Sequence, residues 1–237
     1  MLRRIIDIET TGTDAANDRI VELACIDLSD DGEIVFEHQT LVNPERAIPP
    51  EASAIHHLLD ADVARAPLLV DAITPFKGAQ SYVAHNCAFE RAFLDPLLGN
   101  QTWVCTYKCA LRVWPDAPGH SNQVLRYWLG LSEPFGRARA TIPPHRAHSD
   151  ALITAAILVE LLKCATWEEL IRWSTEPALH TRLKFGKHRG MKYADAPLDY
   201  LEWMATKSEL DGDTKGSAQH WIRLRQETTV TVVAERA

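Results

Sequence analysis

Apolar and polar positions change their period several times along this chain. The runs RRIIDIE (3–9), RIVELACIDL (19–28) and EIVFEHQTLV (33–42) are rich in β-branched residues and lack a helical period, which predicts three strands. Asp30-Asp31-Gly32 is a tight-turn signal between the second and third, so the three read as an antiparallel meander. PEASAIHHLLDADVARAP (50–67) and PLLVDAITPFKGA (67–79) read as helical segments broken at Pro67. SYVAHN (81–86) and TWVCT (102–106) read as short strands. CAFERAFLDPLL (87–98), KCALRVW (108–114), SNQVLRYWLGL (121–131) and HSDALITAAILVELLKCA (148–165) read as helices. Strands alternating with helices predict parallel pairing beside the meander, an α/β domain over residues 1–165.

Beyond it the pattern changes. Residues 166–180 form a helix and connector, and 181–227 are expected to be a small basic α+β domain. Its segment LDYLEWMATK (198–207) is amphipathic, with Tyr200, Leu201, Trp203 and Met204 available for burial. Such a piece is near the lower size limit for independent folding. TTVTVVAERA (228–237) reads as a β-prone tail.

Composition adds limits. With 46% hydrophobic and 24% charged residues over 237 positions, the chain is globular, with room for one good core and a small second unit. The longest apolar stretch, ALITAAILVELL (151–162), is interrupted by Thr154 and Glu160, and Met-Leu-Arg-Arg opens no signal region, so no membrane association is expected. Five cysteines at irregular positions predict reduced thiols and a cytoplasmic location. Cys105 and Cys109 are spaced for one helix face but lack a second pair for zinc, and read as small buried side chains. The net charge of −7 excludes a protein that coats nucleic acid generally. Locally, however, RLKFGKHRGMK (182–192) has five basic residues and no acid, and GRARATIPPHR (136–146) carries Arg137, Arg139 and Arg146. These are either solvated loops or local holds on a nucleic acid.

Four carboxylates stand out against apolar surroundings. Asp7 and Glu9, at i and i+2 of the first strand, project to one face, where they repel unless a cation or a proton intervenes. A polar strand end before Thr10-Thr11-Gly12 is the plainer alternative. Glu90 lies in AHNCAFERAFL beside the apolar stripe Phe89, Phe93 and Leu94. Asp150 opens the longest apolar helix, where it either complements the helix dipole or joins a site. His145 precedes it by five residues, which on a continuous helix would put the two ~140° apart. Pro143-Pro144 argue that His145 is instead on a loop, free to face the same site, and His148 competes for its role.

DIETTG (7–12), AHNCAFER (84–91) and HRAHSD (145–150) resemble, in order, the three motifs of the DEDDh exonuclease superfamily: D-x-E, H-N-x-x-F-D and H-x-x-x-x-D. That superfamily includes the polymerase III proofreading subunit and RNase T. Glu90 stands where the second motif has aspartate. SAIHHLLDADV, VCTYKCALRVWP and FGKHRG resemble its exonuclease X group in particular, and FGKHRG with PLDYLEW also resembles a small domain of proteins described as quorum-sensing-regulated virulence factors. Together these cover nearly the whole chain.

The resemblance implies an RNase H-like fold, a mixed sheet flanked by helices, with two divalent cations, Mg²⁺ or Mn²⁺, held by Asp7, Glu9, Glu90 and Asp150. Asp7 would bridge both ions, Glu9 and Asp150 hold the one that binds the attacking water, and Glu90 support the other through waters. His145 would be the general base. Thr11, Gly12, Ile55, His56 and Leu58 would hold the terminal nucleotide, although the helix could simply pack. His85 and Asn86 would orient Glu90 or touch the strand, unless they only cap a turn. The implied activity is 3′→5′ hydrolysis of DNA ends, single-stranded or duplex, releasing nucleoside 5′-monophosphates. The alternatives are trimming of RNA, and a weakened nucleic-acid-binding module in which Glu90 has compromised the site. The oligomeric state is left open.

Overall fold

The structure, a computed structural model, describes residues 3–207 and 209–234, and for 228–234 the backbone alone. The chain forms two compact units. One takes the chain as far as Tyr107 together with Ala117–Ile171; the other takes Lys108–Asp116 and the chain from Arg172 onward.

The first unit contains the strands β1 (Arg3–Thr10), β2 (Ile20–Leu28), β3 (Ile34–Leu41), β4 (Ser81–Ala84) and β5 (Thr102–Cys105) in the order β3-β2-β1-β4-β5. β1 pairs antiparallel with β2, and β2 with β3, which is the expected meander. β4 adds parallel to β1 and β5 parallel to β4. Short helices α1 (Pro50–His56), α2 (Asp60–Val63) and α3 (Leu69–Ala72) follow β3, α4 (Ala88–Leu98) links β4 to β5, and α5 (Thr106–Val113) leaves β5. Helices α6 (Asn122–Trp128), α7 (Ala147–Leu162) and α8 (Trp167–Thr175) come next.

Both faces of the central strand are buried, which explains why RRIIDIE shows no clean alternation. Ile6 and Ile8, with their β2 partners Cys25 and Leu23, join Phe76, Phe93 and Leu94 in one core. The opposite face, carrying Ile5, Asp7 and Glu9, lies under α7, which packs on β1 and β2. Eleven of the sixteen α7 residues are buried, so its apolar run reads as buried all round rather than amphipathic. No helix among the described residues is long and apolar enough to cross a membrane.

The second unit also contains α9 (Leu198–Thr206) and α10 (Gly212–Ala234), packed around Leu183, Tyr193, Leu201, Met204 and Ala218. Lys108–Asp116, which sequence placed in the first domain, groups here because Lys108 Nζ donates to Glu176 O (2.8 Å) and Arg112 pairs with the Glu176 carboxylate (3.1 Å). Three sequence readings change. The β-branched run expected as a β-prone tail continues α10 as far as Ala234, with 235–237 outside the described residues. Cys105 ends β5 while Cys109 lies in α5, so the two do not share a helix face, although both are buried. Trp203, expected to be buried, is 44% exposed.

One ion pair fixes the start of the sheet. Arg4 and Asp27, directly opposite in the β1–β2 register and 6% and 3% exposed, make two bonds of 2.7 Å. Arg4 also donates to Pro75 O (2.8 Å) and Lys77 O (3.0 Å). Arg4→Met, which strands a buried carboxylate, should destabilise the protein by about 3–5 kcal/mol in urea unfolding. The double replacement Arg4→Met with Asp27→Leu should recover most of that loss.

Candidate active site

The site is built on the period of β1. Asp7 and Glu9 share the face beneath α7; the residue opposite Asp7 on β2 is the small Ala24, and opposite Glu9 stands Glu22. The β1–β2 register shifts between Glu9 and Thr10, a bulge of the kind that re-aims side chains at strand ends. Carboxylate oxygens of Asp7, Glu9 and Asp150 lie within 4.8 Å of one another. These are three of the four carboxylates singled out in the sequence. Glu90 is outside that trio.

Asp150 is placed by an anchor that sequence reasoning missed. Glu22, a buried acid in an apolar strand, accepts Arg146 Nε (3.0 Å), Arg146 Nη2 (2.7 Å) and the Ala147 amide (3.0 Å). This carboxylate therefore holds the first turn of α7 against β2 and complements its dipole. Its signal was the one that flagged Asp7, a lone acid inside a core strand. Asp150 Oδ1 accepts Gln123 Nε2 (3.0 Å), and Oδ2 accepts the His145 amide (2.7 Å). His145 is left-handed, with φ of 58°, and its exposed imidazole has no bond among the described residues. His148, its competitor, is held by Glu37 on β3 (3.0 Å). Arg137 is paired with Glu37 too (2.9 Å). Two of the three arginines of the 136–146 loop are thus neutralised by sheet carboxylates, and only Arg139 remains as an exposed cation.

Every member of the carboxylate group is pushed upward in pKa. Burial is the largest cause for Asp7, followed by Asp150, Glu90, Glu9 and Glu22. Glu9 rises to about 8, through burial, then Asp150 and Glu22, with Arg146 opposing. Burial also raises Asp150, offset by the His145 amide and Gln123. Glu90, in the first turn of α4 and 4% exposed, is raised by burial, then by Cys105 and Glu9, and its Oε2 has no hydrogen-bond partner. Such a set of oxygens, short of countercharge, fits hard divalent cations.

Beside the acids lies a cleft of about 320 Å³ lined by Glu9, Thr11, Gly12, Ile55, His56 and Phe89, among others. The Thr11 hydroxyl donates to Asp18 (3.0 Å) and accepts from the Arg19 amide (3.0 Å), which pins the turn. A Cβ on Gly12 would collide with the Asp18 carboxylate. Ile55 stands exposed at the rim, and His56 is buried with Nδ1 accepting the Leu58 amide (3.0 Å). Leu58 differs from expectation: it packs with Val21, Ile48, Ala52 and Val63 and does not line the cleft. Phe89, read from sequence as core, lines it instead.

His85 has both ring nitrogens engaged. Nε2 donates to His120 O (2.8 Å) and Nδ1 faces the Thr106 hydroxyl (2.9 Å), so the ring ties β4 to α5 and to the loop before α6. Burial lowers its pKa to about 4, keeping it neutral. Asn86, left-handed at φ of 69°, makes the turn into α4, where asparagine tolerates that conformation.

A family described as Exonuclease (RNase_T) matches residues 5–158. The chain is 39% identical over 208 residues to Exodeoxyribonuclease 10 of Escherichia coli strain K12, covering 85% of this chain and 89% of that protein. It is 30% identical over 167 residues to the DNA polymerase III subunit epsilon of Treponema pallidum strain Nichols, covering 66% and 74%. A solved structure of exonuclease X in complex with 5′-overhanging duplex DNA superposes with a TM-score of 0.62 at 38% identity, covering 73% of this chain and 99% of that one.

The raised carboxylates set a pH trend for the protein kept free of divalent ions. Between about 4.5, the ordinary glutamate value, and about 8, folded Glu9 holds a proton that the unfolded chain releases. Stability should therefore fall as pH rises through that window, with Asp7 acting in the same direction. Thermal unfolding in chelator should show this fall for wild type and a shallower one for Glu9→Gln.

Proposed function

This chain belongs to the exonuclease family and is a phosphodiester hydrolase, and from that premise we propose that it removes nucleotides from the 3′ ends of DNA, single-stranded or duplex, in the cytoplasm. The observation that carries the reading is the convergence of Asp7, Glu9 and Asp150 within 4.8 Å beside a cleft of nucleotide size. The DNA held by the superposed relative supports DNA as substrate. The five free cysteines support a reducing compartment.

Two divalent cations, Mg²⁺ or Mn²⁺, held by Asp7, Glu9, Asp150 and Glu90, supply Lewis-acid stabilisation of the phosphodiester and of the water when bound. The chain's own residues do the rest. His145 takes the proton of the attacking water as general base, its imidazole exposed beside the carboxylates. Asp150 positions it by holding its main-chain amide. Ile55 and Phe89 offer apolar surface to the terminal base, and the pinned Thr11-Gly12 turn presents backbone to the nucleotide. The products are a nucleoside 5′-monophosphate and a strand shortened by one residue, without a covalent enzyme intermediate.

His145→Ala should lower turnover of an end-labelled oligonucleotide by roughly 10²–10⁴-fold while binding survives. His148→Ala should change it far less, since that ring is held by Glu37. Reversal of the two results would reassign the base. Assaying DNA and RNA of one sequence side by side, with and without Mg²⁺, tests the substrate.

Glu90 is one methylene longer than the family aspartate, about 1.5 Å. A ligand acting through water absorbs that difference, and its place outside the 4.8 Å trio agrees with such a role. Glu90→Asp should keep or raise activity, whereas Glu90→Gln should lower it severely, in both Mg²⁺ and Mn²⁺. Wild type inert with both ions, with cleavage restored by Glu90→Asp, would make the protein a binder.

A further inference from the structure

The C-terminal unit carries an aromatic pair at the edge of its core, where Tyr200 packs against the cluster and Trp203 stands out from it. Trp203 is 44% exposed and stacks on Tyr200, with ring centroids 5.4 Å apart and planes 30° from parallel. Both project from α9, three residues apart and so on one side of the helix, while Leu201 and Met204 fill the core. A large aromatic ring stacked on one side and left in water on the other points to binding.

The basic loop lies against this pair by construction. Residues 183–191 close a hairpin in which the Leu183 amide donates to Met191 O (2.9 Å) and the Gly190 amide to Leu183 O (2.8 Å). Gly186, at φ of 72°, meets the Tyr200 hydroxyl so closely that a Cβ there would collide with it. The His188 ring sits edge-on to Tyr200 at 4.7 Å, and Lys187 Nζ lies 5.8 Å from the same ring. Lys192 is paired with Asp116 (3.1 Å) and Lys184 Nζ meets His180 Nε2 (3.4 Å), whereas no carboxylate pairs with Lys184, Lys187 or Arg189 among the described residues. Neither acid of α9, Asp199 or Glu202, makes an ion pair with the loop among the described residues, and Asp199 accepts the Tyr200 amide (2.8 Å). Stacking surface flanked by unpaired cations is complementary to a strand of exposed bases joined by phosphates.

We propose that Tyr200 and Trp203, with Lys184, Lys187 and Arg189 of the adjoining loop, form a second nucleic-acid site, within the C-terminal unit, that takes single-stranded polynucleotide. The aromatic pair stacks on a base and the loop cations follow the backbone. Sequence preference is absent, because every base offers a π-face. This deepens the reading of the enzyme as acting on DNA and rests on it only for the sugar of the strand.

The test uses the full chain in chelator, with binding of a labelled dT20 followed by fluorescence anisotropy over a salt series. Trp203→Ala should weaken binding about tenfold, and Trp203→Phe, which keeps a stacking ring, should stay near wild type. Replacing Lys187 and Arg189 together by alanine should make the log–log salt slope shallower by roughly 1.4. Turnover of a labelled trinucleotide with Mg²⁺ should be unchanged in all three, since none of the changed residues belongs to the catalytic cleft. Unaltered dT20 affinity in Trp203→Ala and an unaltered salt slope in the double variant would overturn the proposal. Loss of dT20 binding in Trp203→Ala alongside a wild type that cleaves nothing would uphold this site and overturn the nuclease reading instead.

Discussion

Burial of like charge at the end of the central strand is the constraint around which the first unit is arranged. Asp7, Glu9 and Asp150 converge with Glu90 nearby, and their pKa values are all raised, first by burial, with the cations nearby too weak an opposition to cancel it. The Arg146 guanidinium, which bears on Glu9, is engaged by Glu22 on β2. Gln123 and main-chain amides, neutral donors, are what the site offers Asp150. An arginine in place of Gln123 would relieve the repulsion internally and leave nothing for an external cation to do. The site's affinity for hard cations is therefore the same quantity as its instability without them.

Much of this was legible because it depends on short periods. Asp7 and Glu9 share a face through the two-residue repeat of a strand, and Asp150 is reachable because Pro143-Pro144 delay the start of α7. His145 was preferred to His148 on its spacing to Asp150, but the contact that holds His148 was not legible, since it rests on Glu37, more than a hundred residues away in the chain and one sheet edge across. Charge read along the sequence likewise made the 136–146 loop look free, although the meander delivers Glu22 and Glu37 to it. Leu58 sits in a helical stretch that offered both a cleft and a core, and three-dimensional packing chose the core.

The C-terminal unit failed to read clearly for a different reason. Its helix α9 has two apolar groups, and a hydrophobicity pattern cannot tell a side chain that is buried from one that is kept apolar for a partner. Trp203 looked like core on that measure. Only the position of Gly186 against Tyr200 separates the two, because it brings a charged loop to a place where a core contact would exclude it. The helical course of 228–234 shows the reverse case, where β-branched propensity yields to the helix that precedes it.

The hydrogen bond from the His145 amide to Asp150 joins two residues that would otherwise be counted separately. A left-handed histidine is held about 1–3 kcal/mol above its relaxed conformations, so the backbone there persists only while Asp150 accepts that amide. Changing Asp150 thus releases the histidine as well as removing an acid, whereas a side-chain change at His145 leaves in place the main-chain amide that Asp150 accepts. Under mutation the coupling runs from the helix tip to the loop: once Asp150 is replaced, a further change at His145 finds little left to remove. For a chain drifting through neutral variation, this makes the loop and the helix tip inherit together or fail together.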